Sequence, residues 1–287
     1  MSVKITSTAN PAVKDALSLK KSSARKKEGL FLIEGAREIR LAMRAGYMFH
    51  TLFYCLEISK NGVAGADQKG VGRSYEVADI VDILTGQSRI IETSAAVFSR
   101  LAYREGSGGL LAVALQKKHL IEEICIDENP LLLIAESLEK PGNLGAMLRT
   151  ADAAGVDAVL VCDSITDIYN PNVVRSSLGT LFTVPIACCS SEEAIVWLKA
   201  NNVRIFTTSL TASVPYHRAA FAGPSAIVAG AEATGVSASW EKNADTNIII
   251  PMFGKVDSIN VSAATSIVLY EALRQRGFRR GKQPDQV

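Results

Sequence analysis

Cysteine and histidine are scarce in this 287-residue chain, and each shortage closes off a class of protein. The five cysteines are Cys55, Cys125, Cys162, Cys188 and Cys189; the count is odd, two are adjacent, and no CxxC pair occurs. That pattern suits a reducing compartment, not a disulfide-stapled secreted domain or a zinc ribbon. His50, His119 and His217 stand at no ligand spacing from a cysteine or from one another, so no metal is expected and all three read as surface or satisfied core histidines. Long apolar runs are missing too. The longest stretch without a charged residue, Ser176 to Ser191, is too short to span a bilayer and contains Pro185. The opening Met1-Ser2-Val3-Lys4 is not followed by an apolar stretch and a small-residue cleavage site. Neither a signal peptide nor a membrane segment is expected, and the chain reads as cytoplasmic. The usual phosphate and nucleophile signatures are absent: there is no GxGxxG after a strand, no Walker A sequence and no GxSxG elbow. An ordinary dinucleotide enzyme or nucleoside-triphosphatase is thereby disfavoured.

What is present is enough apolar material for two cores, 48% of residues, in a length comfortable for two domains. The net charge of +2 hides an asymmetry: residues 1–50 hold ten Lys/Arg against four Asp/Glu, and residues 271–287 hold five against two. Two basic ends on an acidic body mark where a polyanion would touch, although solvated helix faces and a frayed tail give the same count.

Asn10-Pro11 reads as a capped helix start, with a basic helix running to Lys27. Lys20, Lys21, Arg25, Lys26 and Lys27 surround Ser22-Ser23, a cluster that suits phosphates. A buried strand is expected over Gly29–Gly35, a helix over Ala36–Gly46, a strand over Thr51–Cys55 and a loop over Asn61–Gly72. Short helices over Ile80–Thr85 and Ser94–Leu101 and a strand over Gly109–Leu115 follow. This is a small α/β domain, residues 1–118. Residues 119–287 read as a βα series. Leu131–Ala135, Ala158–Cys162, Ile205–Thr208, Ala226–Gly230 and Asn247–Pro251 are continuous apolar runs, as strands covered on both faces should be. Helices are expected over Leu144–Ala154, Asn172–Leu178, Ser191–Asn201 and Ala263–Arg276. The sum is a parallel sheet with helices on both sides.

Three segments follow strands, at the carboxyl edge where open α/β sheets hold ligands. In the first, Pro141-Gly142 leads to Asn143, read as the cap of the next helix, and to Arg149 farther along it. In the second, Gly230-Ala231-Glu232-Ala233-Thr234-Gly235 sets a carboxylate in a loop of small residues that allows close backbone approach. In the third, Ile250-Pro251-Met252 leads to Ser258-Ile259-Asn260-Val261-Ser262 at a helix N-terminus. Capping accounts for one of those three polar residues but not for all. Taken singly, the first two segments are ordinary turns.

In this order and spacing, together with Asn170–Ile186, these segments resemble the signature motifs of the SpoU–TrmH family of RNA 2′-O-ribose methyltransferases in the SPOUT superfamily. The likeness covers roughly residues 130–276. It departs from the usual pattern at Ile259, where leucine is commoner, and at Ala233-Thr234. More loosely, the N-terminal part resembles the RNA-binding domain often fused ahead of such enzymes. The resemblance implies a C-terminal trefoil knot, a homodimer, RNA as substrate, and S-adenosylmethionine held by backbone near Thr208, Gly230, Ile250 and Ile259. It assigns proton removal from the ribose hydroxyl to Arg149, which sits uneasily with a guanidinium that stays charged. Either Arg149 is an unusual base, or it clamps a neighbouring phosphate and stabilises the developing alkoxide while the phosphate takes the proton. Asn143 would position Arg149 or the substrate; Glu232, Ser258 and Asn260 would hold the loops. Arg175 grips a phosphate or stabilises the dimer; both readings stay open. Ribosomal RNA is favoured over transfer RNA because a separate RNA-binding domain suits a large structured target. The reading from another class is a non-catalytic RNA-binding protein on the same fold.

Overall fold

The computed structural model describes residues 4–62, 77–103, 108–210, 212 and 214–278. They form two compact units, Met1–Lys117 with Tyr169–Phe182, and Lys118–Ile168 with Thr183–Val287.

The first unit opens with two helices where the sequence suggested one, α1 (Pro11–Ser18) and α2 (Ser22–Glu28). Asn10 caps α1 through its side chain, as its position before Pro11 implies. The interruption at Leu19–Lys21 is held by Arg25, whose guanidinium Nη1 donates to the carbonyls of Leu19 at 2.9 Å and Lys20 at 3.0 Å. Arg25 is therefore buried and leaves the expected phosphate cluster, while Lys21, Lys26 and Lys27 stay exposed. Gly29 ends α2 with φ +64°, a left-handed cap. There follow β1 (Leu30–Glu34), α3 (Ala36–Arg44), β2 (Phe49–Tyr54), α4 (Leu56–Gly62), α5 (Val77–Leu84), β3 (Arg89–Glu92), α6 (Ala95–Leu101) and β4 (Leu110–Leu115). The expected loop from Asn61 begins inside the last residues of α4, and its remainder lies outside the described residues. The strands pair in the order β1-β4-β2-β3, with β4 antiparallel to both neighbours and β3 parallel to β2. One face packs Leu32, Phe53, Leu111 and Val113 against Val13 and Ala16 of α1, Leu19 just past its end, and Val97, Phe98 and Leu101 of α6.

A segment from far along the chain completes this unit. Tyr169 packs at a tilt against Phe31 (centroids 4.2 Å apart), and its hydroxyl meets that of Tyr47 at 3.2 Å. The helix α8 (Pro171–Ser176) buries Pro171, Val173 and Val174, and Phe182 lies edge-on to Tyr47.

The second unit is a seven-stranded, wholly parallel sheet. Its elements are β5 (Leu131–Glu136), α7 (Pro141–Ala154), β6 (Ala158–Cys162), β7 (Ile186–Cys189), α9 (Ser191–Ala200), β8 (Arg204–Thr208), β9 (Val214–Pro215), β10 (Ser225–Ala229), α10 (Ala238–Asn243), β11 (Thr246–Ile249) and α11 (Val261–Gln275). The strand order is β7-β6-β5-β10-β8-β11-β9. Every residue of β5, β6 and β10 is buried, which is why these strands read as unbroken apolar runs. The core around Leu132, Ile134, Leu160, Ile205, Val228 and Trp240 occupies one face. Helix α11 returns to pack on α7, joined by a hydrogen bond of 3.0 Å between the hydroxyls of Thr150 and Ser266.

At the end of α11, Arg276 reaches under the sheet. Its guanidinium donates to the carbonyls of Asn129 (2.9 Å), Pro130 (3.0 Å), Phe221 (2.9 Å) and Gly223 (2.6 Å). Burial lowers its pKa, opposed by Asp157. Removing the fork strands several carbonyls at once, so Arg276→Met is expected to cost about 3 kcal/mol of stability, read as a lower urea midpoint with unchanged slope. An unchanged midpoint would show that water replaces the guanidinium without penalty.

Candidate active site

The sheet's strand order reverses beside β5 and β10, and open parallel sheets bind ligands at the carboxyl ends around such a reversal. Thr208, Gly230 and Ile250 lie at or just past the ends of the adjacent strands β8, β10 and β11, so the topology brings all three to one edge. The ends are tied together. Thr208 Oγ1 donates to the Val228 carbonyl at 3.1 Å, and the Ser209 amide donates to the Ile248 carbonyl at 2.9 Å. Beneath them the Thr207 hydroxyl donates to Asn247 Oδ1.

The glycine loop after β10 closes on itself. The Gly235 amide donates to the Ala231 carbonyl at 2.9 Å, and Ala231 and Gly235 form an isolated antiparallel bridge. Gly230 is buried under this closure, where a Cβ would overlap the Gly235 carbonyl and the Val236 amide nitrogen. Only glycine fits.

Asn143 departs from its expected role. Helix α7 starts at Pro141 with Lys140 in the capping position, so Asn143 is the third helical residue and not the cap. Proline's preference for the first turn sets the start. The Asn143 side chain is thereby released to bridge two loops: its Nδ2 donates to Glu232 Oε1, and its Oδ1 accepts from Asn260 Nδ2 at 3.1 Å. Asn260 in turn caps α11, its Oδ1 accepting from the Ser262 amide at 3.0 Å and from the Ser262 hydroxyl at 2.5 Å. One asparagine thus joins the residues flanking α7, β10 and α11.

Glu232 is half-buried, and its second oxygen, Oε2, has no hydrogen-bond partner among the described residues. A buried acceptor without a donor invites one from a ligand. Burial pushes the Glu232 pKa up, but the hydrogen bond from Asn143, backbone amides and the Lys140 charge outweigh it and hold the carboxyl below its ordinary 4.5. For a depressed acid, the stabilising charge is present above the unfolded pKa and is lost only as pH falls through the lower folded value. The Asn143 side-chain amide resonance is therefore expected to stay unchanged from pH 8 to pH 5 and to move only below 4.5. A transition centred above 4.5 would contradict an ionised Glu232 at this junction.

The remaining residues are placed differently. Arg149, six residues along α7 from Asn143, is exposed and makes no hydrogen bond or ion pair among the described residues. Ser258 is exposed in the loop before α11 and joins no part of this network, while Ile259 beside it is half-buried. Three participants carried no sequence signal that singled them out. Glu136, buried at the end of β5, accepts from the Ser237 amide at 2.8 Å, and Thr150 and Ser266 link α7 to α11. A charged residue closing an apolar strand was the one available clue for Glu136. No described group of three or more His, Cys, Asp or Glu is arranged to hold a metal, and no described helix is long and apolar enough to cross a membrane.

Known proteins resemble this chain in sequence and fold. The SpoU rRNA Methylase family model matches residues 130–270, and the MRM3-like substrate binding domain model matches residues 10–112. A 23S rRNA (guanosine(2553)-2'-O)-methyltransferase of Bacillus subtilis (strain 168), RlmP, is 30% identical over 93% of this chain and 97% of its own. A crystal structure of an RNA 2'-O ribose methyltransferase is 37% identical with a TM-score of 0.78, covering 96% of this chain and 99% of that one. The AdoMet-bound rRNA methyltransferase from Sinorhizobium meliloti superposes with a TM-score of 0.83 at 27% identity, over 95% of this chain and 98% of that one. With a full-length relative at this identity and the family model lying over the parallel sheet and its loops, the chain belongs to the SpoU rRNA methylase family.

Proposed function

We propose that this enzyme transfers a methyl group from S-adenosylmethionine to a ribose 2′-hydroxyl of ribosomal RNA. The observation that carries the reading is the Asn143–Glu232–Asn260 junction at the carboxyl edge of the parallel sheet, made by the helix that also carries the exposed Arg149, in a chain of this family. The cofactor fits the residues present. The strand ends at Thr208, Gly230 and Ile250 and the loop at Ile259 offer main-chain groups and apolar side chains for a flat base and its ribose, and Glu232 Oε2 is an acceptor awaiting a donor. When bound, the cofactor supplies an electrophilic methyl on a sulfonium.

The chain supplies the rest. A neutral hydroxyl is a poor nucleophile, so its proton must leave as the oxygen attacks. Arg149 acts as a fixed charge: its guanidinium holds the adjacent RNA phosphate and stabilises the alkoxide, and the proton passes to that phosphate. Asn143 and Glu232 set the entry of α7 and so the direction of Arg149. Asn260 fixes the loop that carries Ser258, which faces the substrate side. Residues 1–118 bind RNA and residues 119–287 carry the transfer. The C-terminal segment forms the trefoil knot of the family, and the enzyme works as a cytoplasmic homodimer. Mapping 2′-O-methylation across total RNA with and without the gene tests the assignment: one or more ribosomal ribose positions should lose the mark, and an unchanged map would remove it.

A further inference from the structure

The motif stretch that follows β6 holds Arg175, which the junction above does not use. In the first unit it lies beside Tyr103. We propose that Tyr103, with Arg175 and Lys20, forms a stacking platform in the first unit for an unpaired nucleotide of the RNA. The proposal rests on the RNA-methylating reading and names a subsite for its substrate.

Three distant stretches of chain converge on one tyrosine. The Lys20 Nζ, from the turn between α1 and α2, lies over the Tyr103 ring at 5.7 Å from its centroid, and the Arg175 Cζ, from α8, lies over it at the same distance, so an incoming base shares the exposed part of the ring with two cations. Asn172 Nδ2 donates to the Tyr103 hydroxyl at 3.0 Å, and the Tyr103 amide donates to Glu34 Oε2 at 2.8 Å. Lys20 is itself held, donating to the carbonyls of Arg100 (3.2 Å) and Ala102 (3.3 Å). A tyrosine gripped this way usually belongs to a core, yet Tyr103 is 43% exposed. It forms one wall of a shallow cleft whose floor is Leu32, Leu101, Leu111 and Val174 and whose rim carries Glu34 and Arg175.

The chemistry selects the occupant. An aromatic ring already ordered by its neighbours stacks on a base without a further entropy cost, and every base offers a face to it. Lys20 and Arg175 lie over this ring and Glu34 is the one carboxylate in the described cleft lining, so the described charge here is net positive and suits a phosphate backbone. Paired RNA hides its base faces, which leaves a looped or bulged nucleotide as the partner.

Filter binding of unmodified, deproteinised ribosomal RNA to the full-length protein tests this, with AdoMet affinity measured by calorimetry on each variant. Tyr103→Ala and Arg175→Gln should each weaken RNA binding about tenfold, the loss of one stack or one charge contact. Tyr103→Trp should bind within about twofold of wild type, since a larger ring keeps the stack. Arg175→Gln should also flatten the dependence of log affinity on log salt by about 0.7, and Tyr103→Ala should leave that slope alone. AdoMet affinity should not change in any of them. Wild-type affinity in Tyr103→Ala and Arg175→Gln, or an equal loss in Tyr103→Trp and Tyr103→Ala, overturns the platform while leaving the enzyme assignment standing. A wild-type protein that binds AdoMet but no RNA overturns both.

Discussion

Replacing Arg149 with alanine is expected to slow methyl transfer about 10³-fold, the upper end of what one preorganised electrostatic group contributes at a developing oxyanion. The fold should not notice. Arg149 is exposed and has no partner among the described residues, and surface changes of that kind stay within about 0.5 kcal/mol. Affinity for AdoMet should hold as well, because the residues proposed to cradle it are the strand ends at Thr208, Gly230 and Ile250, not α7. Arg149→Lys separates charge from shape. A lysine keeps the charge but loses the planar fork that matches a phosphate, so it should recover only part of the rate. Single-turnover kinetics with saturating cofactor makes the measurement. Full turnover by Arg149→Ala would take the residue out of the chemistry.

Gly230→Ala should be the most damaging single methyl in the second unit. The added carbon would overlap main-chain atoms of Gly235 and Val236, and main chain closed by the Ala231–Gly235 bridge cannot step aside as a side chain can. Overpacking of this kind costs about 1–3 kcal/mol. The displaced loop carries Glu232, and Glu232 is bonded to Asn143, so the strain reaches the start of α7. AdoMet affinity is expected to fall about 100-fold or more, roughly the 2.7 kcal/mol such a factor represents. Gly142→Ala is the control, since a Cβ there meets nothing within 4 Å and alanine is the better helix former. It should hold or raise stability. Equal behaviour of the two variants would mean that the Gly230 loop is slack.

These two residues also show what the sequence disclosed and what it withheld. Strands β5, β6 and β10 were readable because both faces are buried, which leaves no polar residue to break the run. Strands β3 and β7 went unread. Arg89 and Glu92 put charges at both ends of four residues, and Ile186–Cys189 is short and half open to solvent. The break between α1 and α2 has no glycine or proline to announce it; it depends on Arg25 turning inward, a tertiary event. Asn143 was read as a cap because asparagine favours that position, and Pro141 two residues earlier prevailed. The contacts of Asn143 with Glu232 and Asn260 span 89 and 117 residues, so no local spacing reveals them. Likeness to a family pointed to those residues; physical chemistry explains what they do once they are brought together. The docking of Tyr169–Phe182 in the first unit is of the same kind, since nothing in its composition distinguishes it from its neighbours.

The most direct test of the central claim follows the methyl group. The purified protein is incubated with methyl-tritiated AdoMet and unmodified ribosomal RNA, and the RNA is digested to nucleosides and separated. The account predicts label in a 2′-O-methylnucleoside, stable to alkali as a ribose ether is, and none when Arg149 is alanine. Label on a base, or transfer that survives loss of Arg149, would contradict it.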